Sequence, residues 1–194
     1  MILKIDLSKA FDRVNWLYLR ILLTHLGFPF SFIKWIMSYI IDVPYSVLIN
    51  GLASPFFYAK RGLRQGCPLS PLLFLLIMEG ISRLIKEEDS RGRLRGIKII
   101  DRCILTHLLF VDDVLIFLNW SIGDLTSLRN AFSILLVAIG MIINNVKSTI
   151  TTTGCSPHEI QYALHRFPYK LLHMDDGLRY LGYRLKPHGY KIAD

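Results

Sequence analysis

Along this chain the apolar positions switch between the two-residue period of strands and the three-to-four-residue period of helices. Ile2-Leu3-Lys4-Ile5 leads into Asp6 and reads as a strand over residues 1–7. Phe11, Val14, Tyr18, Ile21 and His25 recur at helical spacing, with Ser8 as N-cap and Gly27 as the stop. Pro29 opens a second helix whose Ile33, Ile36, Met37 and Ile40 share a face, and Trp35 reads as core. Residues 45–49 and 52–58 flank Asn50-Gly51, the favoured two-residue hairpin turn, while Pro55 keeps the second arm short or at an edge. Pro68 and Pro71 lead into a nearly all-apolar helix running to about residue 86, and a helix apolar all round is central. Arg91-Gly92-Arg93-Leu94-Arg95-Gly96 is a basic turn. Leu108-Leu109-Phe110-Val111 and Val114-Leu115-Ile116-Phe117 are β-rich runs separated by Asp112-Asp113, which predicts a tight hairpin with both acids at its tip. Asp124 reads as the cap of a helix carrying Leu125, Leu128, Phe132, Leu135, Leu136 and Ile139 and closed by Gly140. Residues 142–150 return to strand, and residues 179–185 read as the last one.

The order is strand, two helices, hairpin, helix, hairpin, helix, strand. Without the middle hairpin this is the split βαβ arrangement of a ferredoxin-like antiparallel sheet, an α+β fold with helices on one face. At 194 residues the chain accommodates one domain, and 52% hydrophobic with 20% charged residues argues against disorder. The mean hydropathy of +0.38 is high for a soluble protein. Even so, the longest apolar run, residues 72–78, is far below the ~18 residues of a membrane span, so no membrane partner is expected. A formal net charge of +8 favours a polyanionic partner, nucleic acid before an anionic membrane surface. Cys67, Cys103 and Cys155 are odd in number and lack metal-ligand spacing, which suits a reducing compartment. With no visible signal peptide, the chain reads as intracellular, nuclear or cytoplasmic, rather than secreted.

The acids carry the candidate chemistry. Adjacent carboxylates at the hairpin tip repel, and a bound cation relieves that. Hard oxygen ligands suit Mg²⁺ or Mn²⁺. Asp6 ends the first strand. If that strand neighbours residues 108–111, Asp6 and Asp112 meet at one sheet edge, where carboxylates from distant strands bridge two divalent cations about 3.5–4 Å apart. Such a pair activates an attacking oxygen and steadies a leaving phosphate. In Arg61-Gly62-Leu63-Arg64-Gln65-Gly66-Cys67-Pro68, glycines allow close approach of backbone to a nucleotide, Gln65 hydrogen-bonds, and Arg61 and Arg64 meet phosphate. Lys147 reads either as the proton donor to a leaving pyrophosphate or as an ordinary surface lysine.

Five stretches in order carry a resemblance. They are Lys4-Ile5-Asp6-Leu7-Ser8-Lys9-Ala10-Phe11-Asp12-Arg13-Val14, then Arg61-Gly62-Leu63-Arg64-Gln65-Gly66-Cys67-Pro68-Leu69-Ser70-Pro71, then Phe110-Val111-Asp112-Asp113, Ile143-Asn144-Asn145-Val146-Lys147-Ser148 and Tyr180-Leu181-Gly182. Together they resemble the catalytic motifs of the reverse transcriptase domain of non-LTR (LINE-type) retrotransposons, especially the plant copies. The resemblance implies a single domain over residues 1–194. It implies a polymerase palm with a small β-hairpin, truncated at both ends, with fingers and thumb largely missing, from a longer retrotransposon polyprotein. It implies an RNA-directed DNA polymerase that joins deoxynucleoside triphosphates to a DNA primer 3′-OH on an RNA template with two Mg²⁺ (or Mn²⁺) ions. Asp6, Asp112 and Asp113 become the catalytic metal ligands, assisted by the Leu7 carbonyl. Phe11 becomes the gate that crowds a ribose 2′-OH, and Leu7, Arg64, Gln65, Gly66 and Lys147 contact nucleotide. Two features depart from the pattern: Val111 stands where alanine is commoner, and Cys67 where many plant copies carry Asp. The competing reading is a catalytically dead remnant that binds nucleic acid. A palm-type nucleotide cyclase is disfavoured because its acidic turn carries glycines that this tip lacks.

Overall fold

The structure, a computed structural model, describes residues 1–101, 103–119 and 121–186. Strand β1 (Ile2–Asp6) alternates buried Leu3 and Ile5 with half-buried Ile2, Lys4 and Asp6, as a strand with one covered face requires. The helix expected behind Ser8 is instead two pieces, the single turn α1 (Ala10–Arg13) and α2 (Trp16–His25). Lys9, not Ser8, holds the cap position of α1, in the left-handed region at φ 49° and without a side-chain bond. Asn15 breaks the helix because its side chain accepts the Leu17 amide at 2.9 Å, offering the backbone a local partner and restarting the turn. The break rotates the surface, so Leu19, Leu22 and Leu23 are buried while Ile21 and His25 are exposed. Asn15→Ala is expected to lower stability by about 1 kcal/mol. Urea unfolding reads this as a lower midpoint at constant slope, and an unmoved midpoint would mean the cap contributes nothing.

Helix α3 (Phe30–Ile41) starts behind Pro29 and buries Ile33, Ile36 and Ile40, but its Trp35 is 70% exposed rather than core. A hairpin follows in two steps. β2 (Pro44–Tyr45) pairs with β5 (Phe57–Tyr58), and between them β3 (Leu48–Ile49) pairs with β4 (Leu52–Ala53). Asn50 and Gly51, at φ 50° and 84°, make the expected turn. Helix α4 (Leu69–Ser90) is one-sided rather than apolar all round: Phe74, Ile77, Ile81 and Ile85 are buried while Leu72 and Leu75 face solvent. The basic turn after it is taken up by carboxylates. Arg91 pairs with Glu87, Arg93 clasps Glu88 with two hydrogen bonds, and Arg95 lies 3.6 Å from the buried Asp124.

Strands β6 (Ile97–Ile100), β7 (Cys103–Leu105), β8 (His107–Phe110) and β9 (Asp113–Phe117) precede helix α5 (Ile122–Ile139). Ser121, not Asp124, caps α5, its hydroxyl accepting the Asp124 amide. By length and composition α5 is apolar enough to cross a membrane. Its Leu125, Leu128, Phe132, Leu136 and Ile139 are buried, while Ile122, Ile134 and Val137 are exposed. Strand β10 (Thr149–Thr152) is shorter than residues 142–150, because Ile143 makes only a single bridge to Leu7. Residues 151–178 contain α6 (Pro157–Arg166), opened by a capping box on Ser156, and β11 (Lys170–His173). The single last strand is a hairpin, β12 (Leu178–Tyr180) and β13 (Tyr183–Leu185), turned at Leu181-Gly182.

Two compact units result, one of residues 1–8, 81–134 and 143 onward, the other of residues 9–80 with 135–142. The first holds a five-stranded sheet in the order β11-β10-β1-β9-β8. β1 is central and antiparallel to both neighbours, and β8 is antiparallel to β9. The expected all-antiparallel sheet is corrected at its edge, where β11 runs parallel to β10. Helix α6 is the crossover that returns the chain in the same direction.

Candidate active site

The register of β1 on β9 sets Asp6 directly opposite Asp113, the first residue of β9. Opposite residues of an antiparallel pair project from the same face, and Lys4, two positions before Asp6, shares it. The Lys4 ammonium lies 3.7 Å from the Asp113 carboxylate and donates to the Arg179 carbonyl at 2.9 Å. Phe110 pairs with Asp113, so the two turn residues are Val111 and Asp112 rather than Asp112 and Asp113. The ladder from Asp6–Asp113 to Ile2–Phe117 decides this. On β1, Leu3 and Ile5 are fully buried and alternate with half-buried neighbours, so a one-residue slip would turn them to the other face. Val111 sits at φ 52°, a left-handed conformation that a β-branched residue adopts only at a cost.

Backbone bonds lock the end of β1. The Asp6 amide donates to Ser148 Oγ at 3.1 Å, and the Asp6 carbonyl accepts the Asn144 amide at 2.9 Å. Leu7 is buried and bridges to Ile143. The Asn144 side chain accepts the amides of Val146 and Lys147, folding that stretch into a turn that exposes Lys147. Lys147 lines a cavity of about 410 Å³ with Lys4, Lys170, Arg179 and Arg184 against one acid, Asp176. The sequence reading missed Lys4, Lys170, Arg179 and Arg184. Lys4 was within reach, since strand alternation alone puts it on the face of Asp6. A second cavity, about 390 Å³, joins Asp113 to the 180–182 turn, and burial together with the Asp113 charge pushes the Tyr180 hydroxyl up.

The carboxylates of Asp6 and Asp113, with Asp112 next in the turn, offer hard oxygen donors suited to Mg²⁺. Like charges directly opposite each other are destabilising until a cation offsets them. Among the described residues no three His, Cys, Asp or Glu side chains gather into a closed metal cluster.

Phe11, Arg64, Gln65 and Gly66 belong to the other unit. There the Gly62 amide donates to the Val14 carbonyl (2.8 Å), the Gly62 carbonyl accepts Trp16 Nε1 (2.6 Å), and the Leu63 amide donates to the Phe11 carbonyl (2.7 Å). A Cβ on Gly62 would meet the Asp12 carbonyl at 2.7 Å, with φ at 93°. This glycine therefore serves close approach of two chain segments. Gly66 differs: open space surrounds it, and Arg64, Gln65 and Gly66 are all exposed. Gln65 donates to Asp12 at 3.0 Å. The Phe11 ring stacks on Phe74 with centroids 4.4 Å apart. Burial pushes the Cys67 thiol up, but hydrogen bonds from Tyr39, Ser70 and the Leu69 amide outweigh it and bring the thiol down to about 7.

Apo telomerase from Candida tropicalis shares this fold with a TM-score of 0.62 over 80% of this chain and 31% of that one, at 18% identity. The chain therefore shares the mixed α/β fold of that protein, with carboxylates on adjacent central strands. Residues 1–185 match the reverse transcriptase (RNA-dependent DNA polymerase) family, and the chain belongs to it. It is 45% identical over 67 residues to an uncharacterized mitochondrial protein of Arabidopsis thaliana. To the Pol polyproteins of the R2 retrotransposable elements of Popillia japonica and Drosophila melanogaster it is 27% and 30% identical, over 59% and 63% of its length. It spans 55% of the Arabidopsis protein and 18% and 11% of the two polyproteins.

Proposed function

We propose that this chain is the palm of an RNA-directed DNA polymerase, and that its four antiparallel strands β10-β1-β9-β8 are the split βαβ sheet of that palm, covered by helices on one face. The observation that carries the proposal is the register that sets Asp6 against Asp113 at the end of adjacent central strands. Asp6, Asp112 and Asp113, with the Leu7 carbonyl, hold two Mg²⁺ (or Mn²⁺) ions. When bound, these activate a primer 3′-oxygen and neutralise charge on the phosphate under attack. Phe11, its ring fixed by the stack on Phe74, crowds the ribose 2′ position and selects deoxynucleotides. Arg64, Gln65 and Gly66 contact the nucleotide and the template, and Lys147 supplies a proton to the leaving pyrophosphate. The partners are an RNA template, a DNA primer, deoxynucleoside triphosphates and the remainder of a retrotransposon polyprotein, inside the cell in nucleus or cytoplasm. The test is extension of a labelled DNA primer on an RNA template. Deoxynucleotide incorporation with Mg²⁺ or Mn²⁺ that EDTA abolishes is expected. No incorporation by this chain, nor by a longer one containing it, favours the dead remnant that only binds nucleic acid.

A further inference from the structure

The unit of residues 9–80 and 135–142 contains a cavity of about 620 Å³. One wall is the loop carrying Arg61, Arg64 and Gln65, and the other is the hairpin 44–58, to which neither the sequence motifs nor the metal chemistry assigns a role. Two rings of that hairpin line the cavity. Tyr45 and Phe57 are cross-strand partners of β2 and β5, stacked with centroids 6.0 Å apart and planes 25° apart. Phe57 is 49% exposed, so its face is available to a ligand. Arg61 and Arg64 are exposed as well, and neither enters an ion pair among the described residues. The acid in the lining, Asp12, accepts from Gln65. A purely apolar ligand has no use for two guanidinium groups, and inorganic phosphate has none for stacked rings. A nucleotide strand uses both, presenting a base to the aromatic face and phosphates to the cations. The volume falls within the range that holds a ligand of nucleotide size.

We propose that Tyr45 and Phe57 form a stacking platform for an unpaired base of single-stranded nucleic acid, whose flanking phosphates Arg61 and Arg64 meet. Only the naming of that strand as the template rests on the polymerase reading. The platform makes binding depend on the presence of bases and leaves it tolerant of their sequence, because every base has a π-face.

Anisotropy of labelled oligoribonucleotides on the 194-residue chain tests this at fixed salt, comparing a base-bearing strand with an abasic strand of equal length and charge. The wild-type chain is expected to prefer the base-bearing strand by about tenfold. Tyr45→Leu with Phe57→Leu is expected to erase the preference, and Phe57→Trp to retain it. Arg61→Gln with Arg64→Gln is expected to weaken both strands alike and to flatten the salt dependence by roughly 0.7 in slope per lost phosphate contact. A wild-type chain that binds both strands equally overturns the platform, and that comparison needs no variant. So does a folded Leu variant that keeps the preference. Because the preference is read without metal or triphosphate, a chain that never incorporates a nucleotide still decides the point.

Discussion

Asp6→Asn is expected to cost on the order of a hundredfold to a thousandfold in templated incorporation while leaving the protein slightly more stable in EDTA. Both effects come from one piece of geometry. Asp6 and Asp113 are direct cross-strand neighbours, and like charges so placed destabilise a sheet by a few tenths of a kcal/mol up to about 1. Lys4, 3.7 Å from Asp113, offsets part of that on one side only. Removing the Asp6 charge relieves the repulsion and leaves the Lys4–Asp113 pair intact. The bonds of Asp6 to Ser148 and Asn144 run through its backbone and survive the substitution. The unfolding midpoint should rise by roughly 1–3 °C. The same exchange removes a metal ligand, so added Mg²⁺ should raise the wild-type midpoint by linkage and leave the variant's where it was. Asp112→Asn, in the turn, should lose incorporation to a similar degree. A variant at either position that copies template at the wild-type rate would remove that carboxylate from the proposed metal site.

Gly62→Ala is expected to be among the most destabilising single changes in the chain. Its left-handed φ of 93° alone costs an L-residue about 1–2 kcal/mol. The added Cβ meets backbone, the Asp12 carbonyl, which cannot rotate away as a side-chain tip does. Relief requires displacing the three hydrogen bonds that tie residues 62–63 to Val14, Trp16 and Phe11. A loss of about 3 kcal/mol corresponds to a fall of roughly 6–12 °C in thermal midpoint for a chain of this size. Gly66→Ala is the internal comparison. Its φ of 79° carries the same conformational cost, but nothing lies within 4 Å of the new atom. Its loss should stay at about 1–2 kcal/mol. Equal losses at the two positions would mean that close packing at Gly62 contributes nothing.

These two glycines also show where reading the chain as a string stopped. The loop 61–68 was legible as glycine-rich and basic, yet which glycine faces a neighbouring segment and which faces open space depends on residues about fifty positions away. The same holds for the acids. Asp6 at a strand end and the Asp112-Asp113 pair between two β-rich runs were readable. That Asp113 rather than Asp112 stands opposite Asp6 follows from a ladder joining strands far apart in sequence.

What the residue order determined by itself is whatever reaches no further than about one helical turn. The Asn50-Gly51 turn, the stops at Gly27 and Gly140, the start of α3 behind Pro29 and the alternation of β1 are all of this kind. Asn15 lay inside an otherwise regular helical period, where its side chain caps α2 and a tertiary bond joins it. Its amide donates to the carbonyl of Ile139. Tertiary structure decided the parallel edge strand β11, the exposure of Trp35, the gathering of Lys4, Lys147, Lys170, Arg179 and Arg184 around one cavity, and the pairing of Tyr45 with Phe57. Register and partner choice are set by burial summed over whole strands and helices, and no local window contains that sum.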